Sequence, residues 1–307
     1  MVNEIMELTW PIKLRIGLAA AVGIALIGVL GWPLVAPVEP FGVVSIVSGA
    51  ISNSDTIVLI VLGFVSGFVS YFFCWPMGSQ IGVFAAPAGL AYLAAKSGDM
   101  GKLFQLNPTV TQREELLSRM RWEALLWLAV VGAGFLGVLL ASRITHSADY
   151  GNESASKPVK RDALYFVNPA LAVLGSVVVS QFFIGIFARD FSVTDAGVNT
   201  AVGQPVLAQI VLALLVSFGI AGFLVKEVLN LGYVPVIIST CLVSPFAIMF
   251  YGRQDVMAYF ANNWPAVFFP HATLAVLPIQ MVSYGTIGAI AGYWIGIRID
   301  YWHKFGL

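Results

Sequence analysis

Long apolar runs, each closed by a short polar break, set the rhythm of this chain. They predict helices over Ile16–Val35, Thr56–Pro76, Gln80–Ala95, Trp122–Ser142, Leu164–Ala188, Pro205–Val225, Gly232–Tyr251 and Thr273–Ile297. Most are roughly 18–25 residues long, the length that crosses about 30 Å of hydrocarbon at about 1.5 Å per residue. The third is shorter and carries Pro87 at its centre. It reads either as a short or tilted span, or as a re-entrant segment of the kind tolerated where protein or water surrounds it. The first run follows Lys13 and Arg15, as in a signal peptide. It is longer than a signal peptide's apolar core of about 7–15 residues, and Pro33 and Pro37 stand where small cleavage-site residues belong, so it is expected to be a retained transmembrane helix.

Three polar stretches interrupt the pattern. Lys96–Arg121 contains Thr111-Gln112-Arg113-Glu114, which fits a capping box and predicts a short helix from about Gln112 that feeds the fourth span. Gly252–His271 is rich in aromatic residues and proline, as an interfacial segment or a docking surface would be. His146–Asp162, HSADYGNESASKPVKRD, is the longest polar run and falls near the middle of the chain. Trp10, Trp32, Trp75, Trp122, Trp264 and Trp302 lie at or just beyond the proposed helix ends, where amphipathic rings favour the headgroup level. Trp127 and Trp294 lie further in.

The central polar run also divides two similar halves. Helix starts in the second half follow those of the first by about 150 residues, a period that suggests internal duplication. Ile57-Val58-Leu59 corresponds to Ile210-Val211-Leu212, Gly67-Phe68 to Gly222-Phe223, and Pro87 to Pro245. Each half closes in a glycine-rich helix ending in Arg-Ile, Arg143-Ile144 and Arg298-Ile299. The expected architecture is therefore an all-α integral membrane protein of about eight transmembrane helices in two parallel four-helix repeats, 1–145 and 163–307, joined by a polar linker at 146–162. An even number of spans per half puts the N-terminus, linker and C-terminus on one side, taken as cytoplasmic, although basic residues divide almost evenly between the sides.

Composition sharpens this reading. Of 307 residues, 59% are hydrophobic and 10% charged, with sixteen basic and sixteen acidic side chains. A globular protein carries about 25% charged residues, so a soluble domain is excluded, and the balanced charge marks no nucleic-acid partner. Cys74 and Cys241 both sit inside apolar runs, which supports neither a disulfide nor a metal framework.

Candidate chemistry is neutral at depth, because no Asp, Glu, Lys, Arg or His falls in the middle of a proposed span. Pro87 and Pro245, each central in a third helix, would free backbone carbonyls and give two half-broken helices, a pattern that points to a transport site. With Gln181, Gln209, Ser239, Thr240, Ser244, Gln280 and Tyr284 they form the expected substrate path. The alternative is that these residues only kink or pack helices. Gly63 and Gly67, and Gly285, Gly288, Gly292 and Gly296, form small-residue stripes that let helix backbones approach closely. They serve either packing within the chain or an interface with another subunit. His271 is expected at the start of the eighth helix, as a satisfied interfacial histidine or as a site with Glu227 or Asp255. The histidines do not pair at depth as bis-histidine haem ligation requires, and no hydrolase, nucleotide or zinc motif is found. No cofactor or metal is expected; a bound lipid is compatible.

Two functions follow as expectations. The first is a transporter or channel for a small solute or ion, working through a site between the two repeats. The alternative is a non-catalytic membrane subunit or scaffold of a larger complex, partnered by the bilayer and by copies of itself or other membrane subunits. An enzyme is the least supported class, since no nucleophile, base or metal cluster lies at depth.

Overall fold

The structure, a computed structural model, describes residues 10–37, 42–45, 51–146, 164–194, 200–264 and 267–305. The polar linker lies outside the described residues apart from His146. The first half contains α1 (Trp10–Gly23, continued by a π-helical turn at Ile24–Val29), α2 (Trp32–Val35), α3 (Asn53–Phe73), α4 (Gly78–Ile81) and, after a 3₁₀ turn, α5 (Ala85–Lys96). It continues with α6 (Met100–Leu106), α7 (Val110–Met120) and α8 (Glu123–His146). The second half contains α9 (Leu164–Phe187), a hairpin of β1 (Phe191–Thr194) and β2 (Thr200–Gly203), α10 (Leu207–Leu229), α11 (Val234–Tyr251), α12 (Gln254–Asn263) and α13 (Pro278–Phe305). Among the described residues, six helices are long and apolar enough to cross a membrane, consistent with an integral membrane protein. The antiparallel hairpin was not expected from the hydrophobic pattern.

Local chemistry sets the helix ends, and it corrects several boundaries. Ser52 caps α3 in a full capping box: its hydroxyl accepts from the Asp55 amide at 3.2 Å, and Asp55 accepts from the Ser52 amide at 3.1 Å. This places the helix start ahead of Thr56. The capping box before the fourth long helix uses Thr109 and Gln112, two residues earlier than Thr111 and Glu114. Both pairs fit the motif, but Thr109 holds the extended backbone an N-cap needs, whereas Thr111 is already inside α7. Asn230 ends α10 with φ 49°, the left-handed conformation that Asn tolerates at a helix terminus. Pro278 opens α13, where its missing N–H costs no bond.

The proline expectation changes most. Pro87 lies within one unbroken helical run, Gly78–Lys96, which tightens to 3₁₀ at Gly82–Phe84 one turn before it. Pro245 lies inside α11, which continues unbroken to Tyr251. The two prolines are therefore not equivalent helix breaks. One is accompanied by a local change of helix type, and the other is absorbed by a packed helix.

Packing is organised by close backbone contacts between parallel helices. A Cβ added at Gly63 would lie 2.6 Å from the Val130 carbonyl, and one at Gly67 would overlap the carbonyl of Gly134. In the second half, a Cβ at Gly222 would lie 2.5 Å from the Ala289 carbonyl, and one at Gly292 would overlap that of Gly219. Residue numbers rise together along both pairs, so α3 and α8 run parallel, as do α10 and α13. Gly67 on Gly134 and Gly222 on Ala289 are the same contact displaced by about 155 residues, as are Gly137 on Phe64 and Gly292 on Gly219.

α5 runs parallel to α1, with Gly23 against Ala85, Gly28 against Tyr92, and the Lys96 ammonium 5.0 Å from the Trp32 ring. One continuous core extends from Ile27, Leu59 and Trp127 to Phe218 and Ile279. Phe84 stacks on Trp294 at 5.2 Å, and the Tyr284 hydroxyl donates to the Ala91 carbonyl at 3.0 Å, which ties α13 to α5.

Candidate functional site

Where α9 and α11 end, the chain makes a cavity of about 560 Å³, within the usual range of small-molecule sites. Carbonyls at the end of α9 find partners outside the helix ladder. Gln209 on α10 donates to the Phe187 and Arg189 carbonyls at 2.9 and 3.1 Å, and Arg189 Nε donates to the Gly185 carbonyl at 2.8 Å. The next residue, Asp190, reaches across the bundle end. Its Oδ2 accepts from the amides of Phe268 and Phe269 at 3.0 and 3.2 Å, holding the segment before α13 over the end of α9. That segment closes one side of the cavity, and Gln181 and Gly185 on α9 form another.

His271 completes the wall. Its ring stacks on Tyr251, at the end of α11, with centroids 4.3 Å apart and planes 9° from parallel. Nδ1 accepts from the Thr273 amide at 3.2 Å, capping the 3₁₀ turn Ala272–Ala275. An accepting Nδ1 assigns the proton of the neutral imidazole to Nε2. Nε2 faces α9, 3.3 Å from where a Cβ at Gly185 would be. Burial, and secondarily the Arg189 charge, hold the His271 pKa below that of a free imidazole. Burial pushes the Asp190 carboxyl upward, against its two backbone hydrogen bonds.

Two polar atoms at this site have no hydrogen-bond partner among the described residues: Gln181 Nε2 and Asp190 Oδ1, both buried. Such groups normally find a partner, because leaving one unmade costs about 1–3 kcal/mol. A smaller hollow of about 210 Å³ adjoins the cavity and shares Val267 and Pro270 with it. Arg113 lies over the rings of Phe104 and Phe268 there, at 5.1 and 5.4 Å.

Of the expected path residues, Gln181 alone lines the cavity. Gln209 caps α9 from the outside. Ser239 and Thr240 turn back onto the Val236 and Ile237 carbonyls of their own helix, both at 2.6 Å. Gln280 accepts from the Leu277 amide at 3.1 Å, which satisfies the start of α13. Ser244 is buried with an unpartnered hydroxyl, and Pro87, Pro245 and Tyr284 are buried in the core. The glycine stripes pack within the chain. Gly288 meets the Leu215 carbonyl, Gly285 the Phe218 and Thr240 side chains, and Gly296 the Lys226 side chain.

Arg189, Asp190 and Tyr251 were not singled out from the sequence, and His271 was expected chiefly as a satisfied interfacial histidine. Arg189-Asp190 follows one helix and Pro270-His271 precedes another, so only the folded chain brings them together. The available signal was weak: a charged pair directly after an apolar helix, and a histidine directly after a proline.

No family model, curated protein or solved structure matches this chain. Among the described residues, no group of three or more His, Cys, Asp or Glu side chains could hold a metal ion.

Proposed function

We propose that the protein is a multi-pass membrane protein of eight crossing segments in two parallel four-helix units, and that it binds a small ligand in the cavity beside His271. The observation that carries the ligand reading is the cavity of about 560 Å³ itself, with the polar residues Gln181, Arg189, Asp190 and His271 in its wall.

The displacement of about 155 residues shared by the glycine contacts supports the duplication. Parallel α3 and α8 support a crossing third segment, because the chain must return across the bundle between them. α4 and α5 are the elements available to do so. In a transport cycle the cavity is the loading site, which moves the expected solute site from the level of Pro87 and Pro245 to the end of α9.

The test is native mass spectrometry of the full chain released from mild detergent. A small-molecule adduct on the wild type, lost in Gly185→Val, is expected, because that side chain enters the space facing His271. A wild-type chain without any adduct overturns the ligand reading. A second reading, a non-catalytic subunit of a larger complex, draws on Tyr259 and Trp264, exposed on and just after α12. A stoichiometric protein partner that dissociates on Tyr259→Ala plus Trp264→Ala would favour it.

A further inference from the structure

We infer that His271 is an acid-released latch: neutral, it caps the 3₁₀ turn Ala272–Ala275 and closes the cavity wall facing α9; protonated, it gives up the cap and turns out of the wall. The latch belongs to the cavity wall and works whatever the cavity holds.

The neutral ring is held on three sides. Nδ1 accepts from the Thr273 amide at 3.2 Å, Nε2 faces Gly185 on α9, and the ring lies flat on Tyr251 with centroids 4.3 Å apart. The turn it caps is buried at Thr273, Leu274 and Ala275 and leads into α13. Only the neutral ring can serve as this cap. A proton on Nδ1 sets two N–H donors against each other and leaves the Thr273 amide without its acceptor.

The charges around the ring do not hold an imidazolium in place. α9 contributes Arg189, of the same sign, and Asp190, whose Oδ2 is occupied by the Phe268 and Phe269 amides. α11 contributes the Tyr251 phenol ring. α6, which also packs on the turn, contributes Lys102, paired at 3.9 Å with its own Asp99. Among the described residues no salt bridge joins His271 to a carboxylate. The Tyr251 face attracts a cation, but that attraction does not restore an acceptor to Thr273. Burial and the Arg189 charge both act against the protonated ring.

Hydrogen–deuterium exchange of the full-length chain in detergent, corrected for the intrinsic pH dependence of amide exchange, tests the latch. Across a series from about pH 8 to about pH 4, peptides covering the 3₁₀ turn should come to exchange about tenfold faster, the ratio for losing one hydrogen bond. The transition should fall below the 6.5 of a free imidazole, and peptides of α10 should stay unchanged. His271→Asn keeps a side-chain acceptor of the kind that caps helices but does not titrate, so its turn should stay protected throughout. His271→Phe, a ring without an acceptor, should exchange at the faster rate throughout.

Equal protection of the wild-type turn across the series would overturn the latch, as would acceleration along the whole chain rather than at the turn. A transition that persists in His271→Asn would place the sensor elsewhere, at Asp190 first, and overturn it too. Nitrogen NMR of labelled histidine needs no change at His271. With His146→Gln and His303→Gln, His271 is the one histidine of the three that remains. Its ring should carry the proton on Nε2 at about pH 8 and titrate together with exchange at the turn. A proton on Nδ1, or a titration separate from the exchange transition, refutes the assignment.

Discussion

The contact between α3 and α8 at Gly67 yields the most quantitative prediction. A methyl group at this position would overlap the Gly134 backbone carbonyl, which cannot rotate aside as a side chain would. In Gly67→Ala the two helices must separate along a contact that also includes Gly63 on Val130 and Gly137 on Phe64. Overpacking of this kind costs about 1–3 kcal/mol, and loss of dispersion contacts along the parted helices puts it at the upper end. Replacing a helical glycine by alanine returns up to about 1 kcal/mol of propensity, leaving a net loss of about 2 kcal/mol. The control is Gly132→Ala on α8, where the added methyl meets nothing within 4 Å and only the propensity gain remains. At about 2–4 °C per kcal/mol, thermal unfolding followed by circular dichroism in detergent should show Gly67→Ala lowered by about 4–8 °C. Gly132→Ala should be unchanged or raised by a few degrees. Equal midpoints for the two variants would refute the assignment of these glycines to packing within the chain.

Three further outcomes are expected. Trp127→Phe removes the 3.1 Å hydrogen bond from the indole to the buried Glu123 carboxylate, which also accepts from Ser45 at 2.6 Å; a loss of about 1.5–3 kcal/mol should appear in the same melts, and an unchanged midpoint would count against the network. Because burial holds the folded His271 pKa below the 6.5 of a free imidazole, the unfolded chain binds more protons once the pH falls below about 6.5. The contribution is thus fully present above that pH and is lost on acidification toward the folded pKa, a slope that unfolding midpoints of His271→Phe should lack. Tags at the N-terminus, at Gly151 and at the C-terminus should report one side of the membrane in accessibility labelling, and a Gly151 tag on the other side would break the four-plus-four topology.

Much of the framework was legible because bilayer hydrocarbon imposes a length and a polarity that few residue types satisfy. The apolar runs located the six long helices, most within a few residues and the first as Trp10–Val29 rather than Ile16–Val35. They also located α4–α5 and α13, whose sequences are less uniformly apolar, and the tryptophans agreed. Trp10, Trp75, Trp122, Trp264 and Trp302 are exposed near helix ends, and Trp127 is fully buried. Boundary errors arose where short-range hydrogen bonds compete, as between Thr109 and Thr111, since two overlapping motifs satisfy the same rule and only backbone conformation selects one.

Spacing also indicated that the glycines form helix-contact stripes, but it left the partner open, because a stripe records close approach without naming what approaches. The tertiary structure decided that Gly67 meets Gly134 and Gly292 meets Gly219. It likewise decided the fate of the two prolines, which share a place in the sequence pattern but not in the fold. The cavity lay furthest beyond sequence reasoning. Its charged and imidazole groups come from Arg189 and Asp190 after α9 and from His271 before α13, two loops far apart along the chain. They meet because Asp190 binds the amides of Phe268 and Phe269, a contact that depends on how α9, α11 and α13 pack. Hydrophobic periodicity determines which segments become helices; the convergence of their polar ends is a property of three-dimensional packing alone.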